Sequence, residues 1–210
     1  MKSLLVILAS VNCVLAQPFS FGVKGGVPLT DFLDTVNSVH VNFNTSTNRY
    51  IIGPTVELRL PFGFGVEFDA LYRRLHYNGS AMGVDTFSTS KTTGNRWEFP
   101  LLLKYRLPTK VIRPYVDAGV GWDTLTGLEQ SVTTTVFPRI TSTTTTSNPP
   151  ELNQHTTVGF VVGAGLDIHV LLHVSPEIRY TRWNSQQLRD PLGLLQSSQN
   201  QAEFLLGITF

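Results

Sequence analysis

Gln201-Ala202-Glu203-Phe204-Leu205-Leu206-Gly207-Ile208-Thr209-Phe210 is the stretch on which the reading of the fold turns. From Phe204 the even positions carry Phe204, Leu206, Ile208 and Phe210. The odd ones carry Glu203, Gly207 and Thr209, with Leu205 the one apolar exception. A side-chain period of two marks a strand with one oily and one polar face, and ten residues suffice to cross a bilayer as a tilted strand. The fold follows if the same pattern recurs an even number of times.

It does recur upstream. Residues 19–27 set Phe19, Phe21, Val23 and Val27 against Ser20, Gly22, Lys24 and Gly26. Further alternating runs cover 50–60, 64–72, 96–107, 112–123, 158–168 and 174–182, so the closing stretch is the eighth. Proline and glycine at Pro28 and at Pro61-Phe62-Gly63, and Pro108-Thr109-Lys110, end strands or turn the chain. The turn near residues 169–172 has neither. The connections alternate in length, with long loops at 30–48, 78–94, 125–155 and 184–200 and short turns between them. Sorting of loops by parity belongs to a transmembrane barrel, whose two rims face different compartments; a soluble sandwich has no reason for it. The reading is all-β: an eight-stranded antiparallel up-and-down transmembrane β-barrel over residues 17–210.

The aromatics give a second pattern. One rim is expected to collect Tyr50, Tyr72, Trp97, Trp122 and Tyr180, and the other Phe19, Phe62, Phe64, Tyr105 and Phe210, at strand ends where amphipathic rings favour the two interfaces.

Glu98-Phe99-Pro100-Leu101-Leu102-Leu103-Lys104-Tyr105, Arg113-Pro114-Tyr115-Val116-Asp117-Ala118-Gly119-Val120-Gly121 and Pro176-Glu177-Ile178-Arg179-Tyr180 resemble strands of the small outer-membrane barrels of the OmpA and PorT type. The final strand ending on Phe210 resembles the C-terminal signal that barrel-assembly machinery reads. The resemblance implies an eight-stranded barrel in a bacterial outer membrane. It implies no single activity, since such barrels serve as anchors, adhesins, assembly factors and lipid enzymes.

In an eight-stranded barrel side chains just fill the lumen. The inward face carries Glu57, Glu67, Asp69, Glu98, Asp117, Asp167, Glu177 and Glu203 against Lys24, Arg59, Arg73, Arg96, Lys104, Arg106 and Arg179. Charges withdrawn from water persist only when paired and hydrogen-bonded. These fifteen are therefore expected to form a network that plugs the lumen. A narrow porin-like channel along the network is the alternative.

Enzymatic chemistry has little footing. His173-Val174-Ser175 resembles the His-x-Ser of barrel lipid A deacylases, but alternation turns both residues inward at the short-turn end, and no third residue orients the His in an obvious way. His40, His76 and His155 are isolated, and no pair has metal-ligand spacing. Gly119-Val120-Gly121 and Gly163-Ala164-Gly165 contain GxG, but no helix follows to receive a phosphate. Asn44-Thr45-Ser46 and Asn78-Gly79-Ser80 are glycosylation sequons in form only. The expectation is no enzyme, no cofactor and no metal.

Composition fits. Mean hydropathy is +0.04 with 41% hydrophobic residues, as when lipid-facing and lumen-facing side chains cancel. The 16 bases and 15 acids give no electrostatic case for nucleic acid. Residues 1–16 read as a secretory signal peptide: Lys2, an apolar stretch from Leu4 to Leu15, and Val14-Leu15-Ala16 before the cut. Cleavage removes Cys13, the only cysteine, and with it any disulfide or Cys-based zinc site. The third loop, rich in Thr, is expected to protrude as a hairpin extending the fifth and sixth strands. The expected role is structural or surface-interacting: a monomer in outer-membrane lipid of a Gram-negative cell, holding a surface ligand on its loops. A lipid-modifying enzyme is the more distant alternative.

Overall fold

The computed structural model describes residues 19–35, 41–45, 49–109, 111–137, 140–169, 172–191 and 194–210. The expected signal peptide, Cys13 and His40 lie outside the described residues.

Thirteen strands are present among the described residues, β1 (Phe19–Pro28), β2 (Leu33–Thr35), β3 (Val41–Thr45), β4 (Ile51–Arg59), β5 (Phe64–Asp69), β6 (Leu71–Met82), β7 (Thr86–Arg106), β8 (Ile112–Val136), β9 (Ile140–Thr146), β10 (Thr156–His169), β11 (His173–Trp183), β12 (Leu195–Ser197) and β13 (Asn200–Thr209). β5 and β6 keep one register against β7 on both sides of Ala70, with Phe68 opposite Leu101 and Leu71 opposite Glu98, so they act as a single barrel strand. The order is then β1, β4, β5/β6, β7, β8, β10, β11, β13, each antiparallel to the next. β13 returns to β1 with Val23 opposite Ile208, closing an eight-stranded barrel. Closure removes the two free edges that an open sheet would expose.

Burial alternates along the barrel strands. In β13, Gln201, Glu203, Leu205, Gly207 and Thr209 are buried, and Phe204, Leu206 and Ile208 are exposed. The barrel is therefore oily outside and polar inside, the inverse of a soluble protein. Leu205 obeys the parity despite its chemistry, because it packs inside against Ile51 and Leu71.

Two expected loops are largely strand. The expected second loop is the end of β6 and the start of β7, turning only at residues 83–85. In the third, β8 runs on to Val136 and returns as β9; β10 begins only at Thr156, so the protruding hairpin extends the fifth barrel strand and not the sixth. Thr and Ser on both faces let these segments pair where neither face is hydrophobic. Ser88 meets Thr134 at 2.9 Å, and Thr133 meets Thr143 at 3.2 Å. The first loop contributes β3, which pairs with β6, so a blade ordered β3-β6-β7-β8-β9 stands on one wall of the barrel.

The same extension corrects the aromatic pattern. Tyr72, Trp97 and Trp122 lie within the joint β5/β6 strand, β7 and β8, not at their ends. The Tyr72 and Trp97 rings sit 5.0 Å apart across strands, as do Phe64 and Tyr105 at the short-turn rim. Phe19, Tyr50, Tyr180 and Phe210 are exposed on the outer surface. Phe62 sits in a single 3-10 turn, Pro61–Gly63, at positive φ (64°) and almost fully exposed.

Candidate functional site

Fourteen of the fifteen inward charges expected from sequence are buried; Arg59 is the half-buried exception, at the short-turn mouth. They fall into three tiers along the axis.

The middle tier is built on Lys24. Its Nζ reaches Glu67 Oε1 at 2.5 Å, Glu177 Oε2 at 2.9 Å and Asp69 Oδ2 at 3.3 Å. Arg179 grips the same three carboxylates, at 2.7 Å (Glu177), 2.9 Å (Asp69) and 3.3 Å (Glu67). Lys104 also pairs with Glu67, and its Nζ lies 4.2 Å from the centre of the Tyr115 ring. The Tyr115 hydroxyl donates to Glu177 Oε2 at 3.1 Å. Glycines leave the room these groups need. Gly163 lies between Asp117 and Arg179, and a Cβ there would come within 2.5 Å of the Asp117 carboxylate. Gly165 lies between Tyr115 and Glu177 in the same way.

At the short-turn end Arg106 pairs with Glu57 and donates Nε to Asp167 Oδ2 at 3.0 Å. His173 Nδ1 is 2.9 Å from Asp167 Oδ1, and Nε2 is 3.3 Å from Arg59. Asp167 is thus the orienting group that sequence reading missed, six residues upstream across the β10–β11 turn. A Ser–His–Asp relay needs a serine hydroxyl on the far ring nitrogen; here that nitrogen faces a guanidinium, with Ser175 on the other side of Val174.

At the long-loop end Arg96 Nε donates to Asp123 Oδ2 at 2.7 Å, and its NH2 reaches Glu98 at 2.9 Å and Gln201 at 2.7 Å. Arg73 joins Glu98 at 3.0 Å and approaches Glu203 at 3.8 Å. Asp123 belongs to this set: it is inward and wholly buried, and its parity in the fifth strand signals it.

A second layer lies above. Phe32 from the first loop sits 4.2 Å from the Arg96 guanidinium, a cation–π contact that covers the upper tier. β2 pairs with β12 of the fourth loop. Phe32, Leu33, Leu188 and Leu195 pack with Phe43, Leu75, Tyr77, Leu125 and Leu128 into a buried apolar cluster. Gln187 ties it down, donating to the backbone carbonyls of Asp123 (3.0 Å) and His155 (2.9 Å). One or two apolar residues at a time in polar loops carry no period, so sequence pattern did not reveal this cap. At its edge, Gln130 Nε2 donates to both oxygens of Glu151, at 3.3 and 3.1 Å. Burial, with Asp190 nearby, raises the Glu151 carboxyl above the ordinary carboxylate range. His76 stands on β6, and His155 Nδ1 lies 3.3 Å from the Leu125 carbonyl.

A closed antiparallel barrel with an apolar exterior and a buried ionic interior is the architecture of a transmembrane β-barrel. Residues 15–182 match the family described as outer membrane protein beta-barrel domain, and the chain belongs to that family. It is an outer-membrane protein. Among solved structures it is similar to the outer membrane protein OprG of Pseudomonas aeruginosa, at 14% identity and TM-score 0.51, covering 91% of this chain and 94% of that one. It is also similar to Neisserial surface protein A, at 11% identity and TM-score 0.43, covering 92% and 98%. No curated protein sequence matches the chain.

Proposed function

We propose that this protein is a structural or surface-interaction barrel whose lumen is closed to free diffusion. In this reading a signal peptide exports the chain, and the Gram-negative outer membrane receives it as a monomer through recognition of β13 by barrel-assembly machinery. Its long loops and blade face the cell exterior, where the blade is the surface for a ligand. The observation that carries closure is the stacking of two barriers. Three tiers of buried, cross-strand ion pairs fill the interior, and the loop cluster around Phe32 and Leu195 covers the mouth above them. An ion crossing this path would have to displace paired charges in a medium of low dielectric. His173 in this reading is a positioning residue for the Asp167–Arg106 tier, and no reaction is assigned to it. Planar-bilayer recording of the refolded protein tests closure. The expected record is flat; stable openings of uniform step overturn it.

A further inference from the structure

The lipid-facing surface carries one cation set among oily side chains beside a groove. Arg182, at the long-loop end of β11, points outward and is exposed. Among the described residues its guanidinium bonds the neutral Asn200 Oδ1 at 2.6 Å and pairs with no carboxylate; the Tyr180 hydroxyl donates to the same oxygen at 2.8 Å. Val120, Phe160, Arg182 and Asn200 form one row across β8, β10, β11 and β13. The next row toward the membrane centre is Ala118, Val162, Tyr180 and Ala202, smaller at both ends. A groove of about 390 Å³ opens here, lined by Val120, Val158, Phe160 and Arg182 with Asn184 and Gln199 at its polar end.

We infer that this groove is a binding site for a phosphorylated lipid, its phosphate on Arg182 and one acyl chain against the apolar wall of Val120 and Phe160. Arginine presents a planar fork of donors that matches a phosphate, and here the fork shares the Asn200 side-chain carbonyl oxygen with the hydroxyl of Tyr180, a ring type that favours the level where headgroups meet hydrocarbon. Apolar walls below and amide groups above match the two ends of such a lipid. The inference rests on the proposed placement of the long-loop end at the outer face only for which leaflet supplies the lipid.

The folded full-length barrel in mild detergent is titrated with dioleoyl phosphatidic acid and, separately, with dioleoylglycerol, and bound lipid is counted by native mass spectrometry. Wild type is expected to retain one phosphatidic acid and to bind dioleoylglycerol at least about tenfold more weakly, the loss expected for a charge-assisted contact. Arg182→Ala is expected to lose the same factor, Arg182→Lys to fall between, and Arg74→Ala, an exposed cation on β6 away from the groove, to match wild type. Equal binding of the two lipids, or an unchanged Arg182→Ala, overturns the inference. Displacement of phosphatidic acid by millimolar inorganic phosphate also overturns it, since the site would then hold a free ion. A gel run with unboiled and boiled samples, on which a folded barrel migrates differently until boiled, confirms that each variant is folded. The count is blind to conductance and to orientation, so its failure and that of the proposed function are read separately.

Discussion

Replacing Lys24 by Met removes the hub of the middle tier while keeping most of its volume. Three carboxylates lie within 3.3 Å of its Nζ. After the change Arg179 still reaches all three, and Lys104 still pairs with Glu67. Removing one partner from a buried ionic set costs about 3–5 kcal/mol, because the surviving charge is left uncompensated. The remaining cations place the expected loss at the lower end, about 3 kcal/mol. With a urea slope of about 2 kcal/mol per molar, the unfolding midpoint falls by about 1.5 M. The assay is urea unfolding in lipid vesicles, read as the fraction migrating at the folded position on an unboiled gel. Neutralising Asp69 as well, in Lys24→Met/Asp69→Asn, restores charge balance around Arg179 and is expected to regain at least half of the loss. The reasoning is refuted if Lys24→Met leaves the midpoint within about 0.3 M of wild type, or if the double variant is weaker than the single one.

Other outcomes follow from other parts of the molecule. A Cβ at Gly53 would lie 1.8 Å from the Ala70 carbonyl, a backbone atom that cannot move aside, so Gly53→Val is expected to abolish the folded band on the same gel. Phe32→Ala is expected to destabilise the cap by about 3–5 kcal/mol; hydrogen exchange should speed up in β2 and β12 while β1 and β13 stay protected. Because the Glu151 carboxyl is raised on folding, the folded cap holds more protons than the unfolded one above the ordinary carboxylate pKa. Cap stability therefore falls as pH rises through that window, and Glu151→Gln is expected to flatten the trend in exchange rates corrected for intrinsic pH dependence. Protease applied to intact cells is expected to cut near the fully exposed Val84 and near Phe137 at the blade tip; cleavage only after lysis would contradict the outward orientation.

Much of the barrel was legible because its physics repeats every two residues. The parity that put Phe204 outside and Glu203 inside held along all eight strands, and Leu205 shows why parity outranks chemistry: a strand cannot turn one residue round without turning its neighbours. The inward charges were legible for the same reason. What escaped was structure without alternation. The upper halves of β7 and β8 carry Thr and Ser on both faces and that of β6 reads Asn78-Gly79-Ser80-Ala81, so nothing in their sequence separates a sheet from a polar loop. Leu188 stands singly and Phe32-Leu33 and Leu194-Leu195 are mere pairs among polar neighbours, and the pairing of β2 with β12 brings them together. Asp167 and His173 meet because β10 and β11 stay paired as far as His169 opposite His173, where the sequence carries no turn signal.

The blade raises a mechanical consequence. β7 is 21 residues long and β8 is 25, and each runs as one strand from the short-turn rim to the blade, with a single bulge where Thr93–Asn95 faces Gly127. At the usual rise per residue β8 spans about 80 Å. No linker separates the part in lipid from the part above it, so a load on the tip travels along covalent chain and shared hydrogen-bond ladders into a single side of the cylinder. The projecting sheet behaves as a rigid mast stepped off-centre, which transmits torque to its footing instead of swivelling upon it.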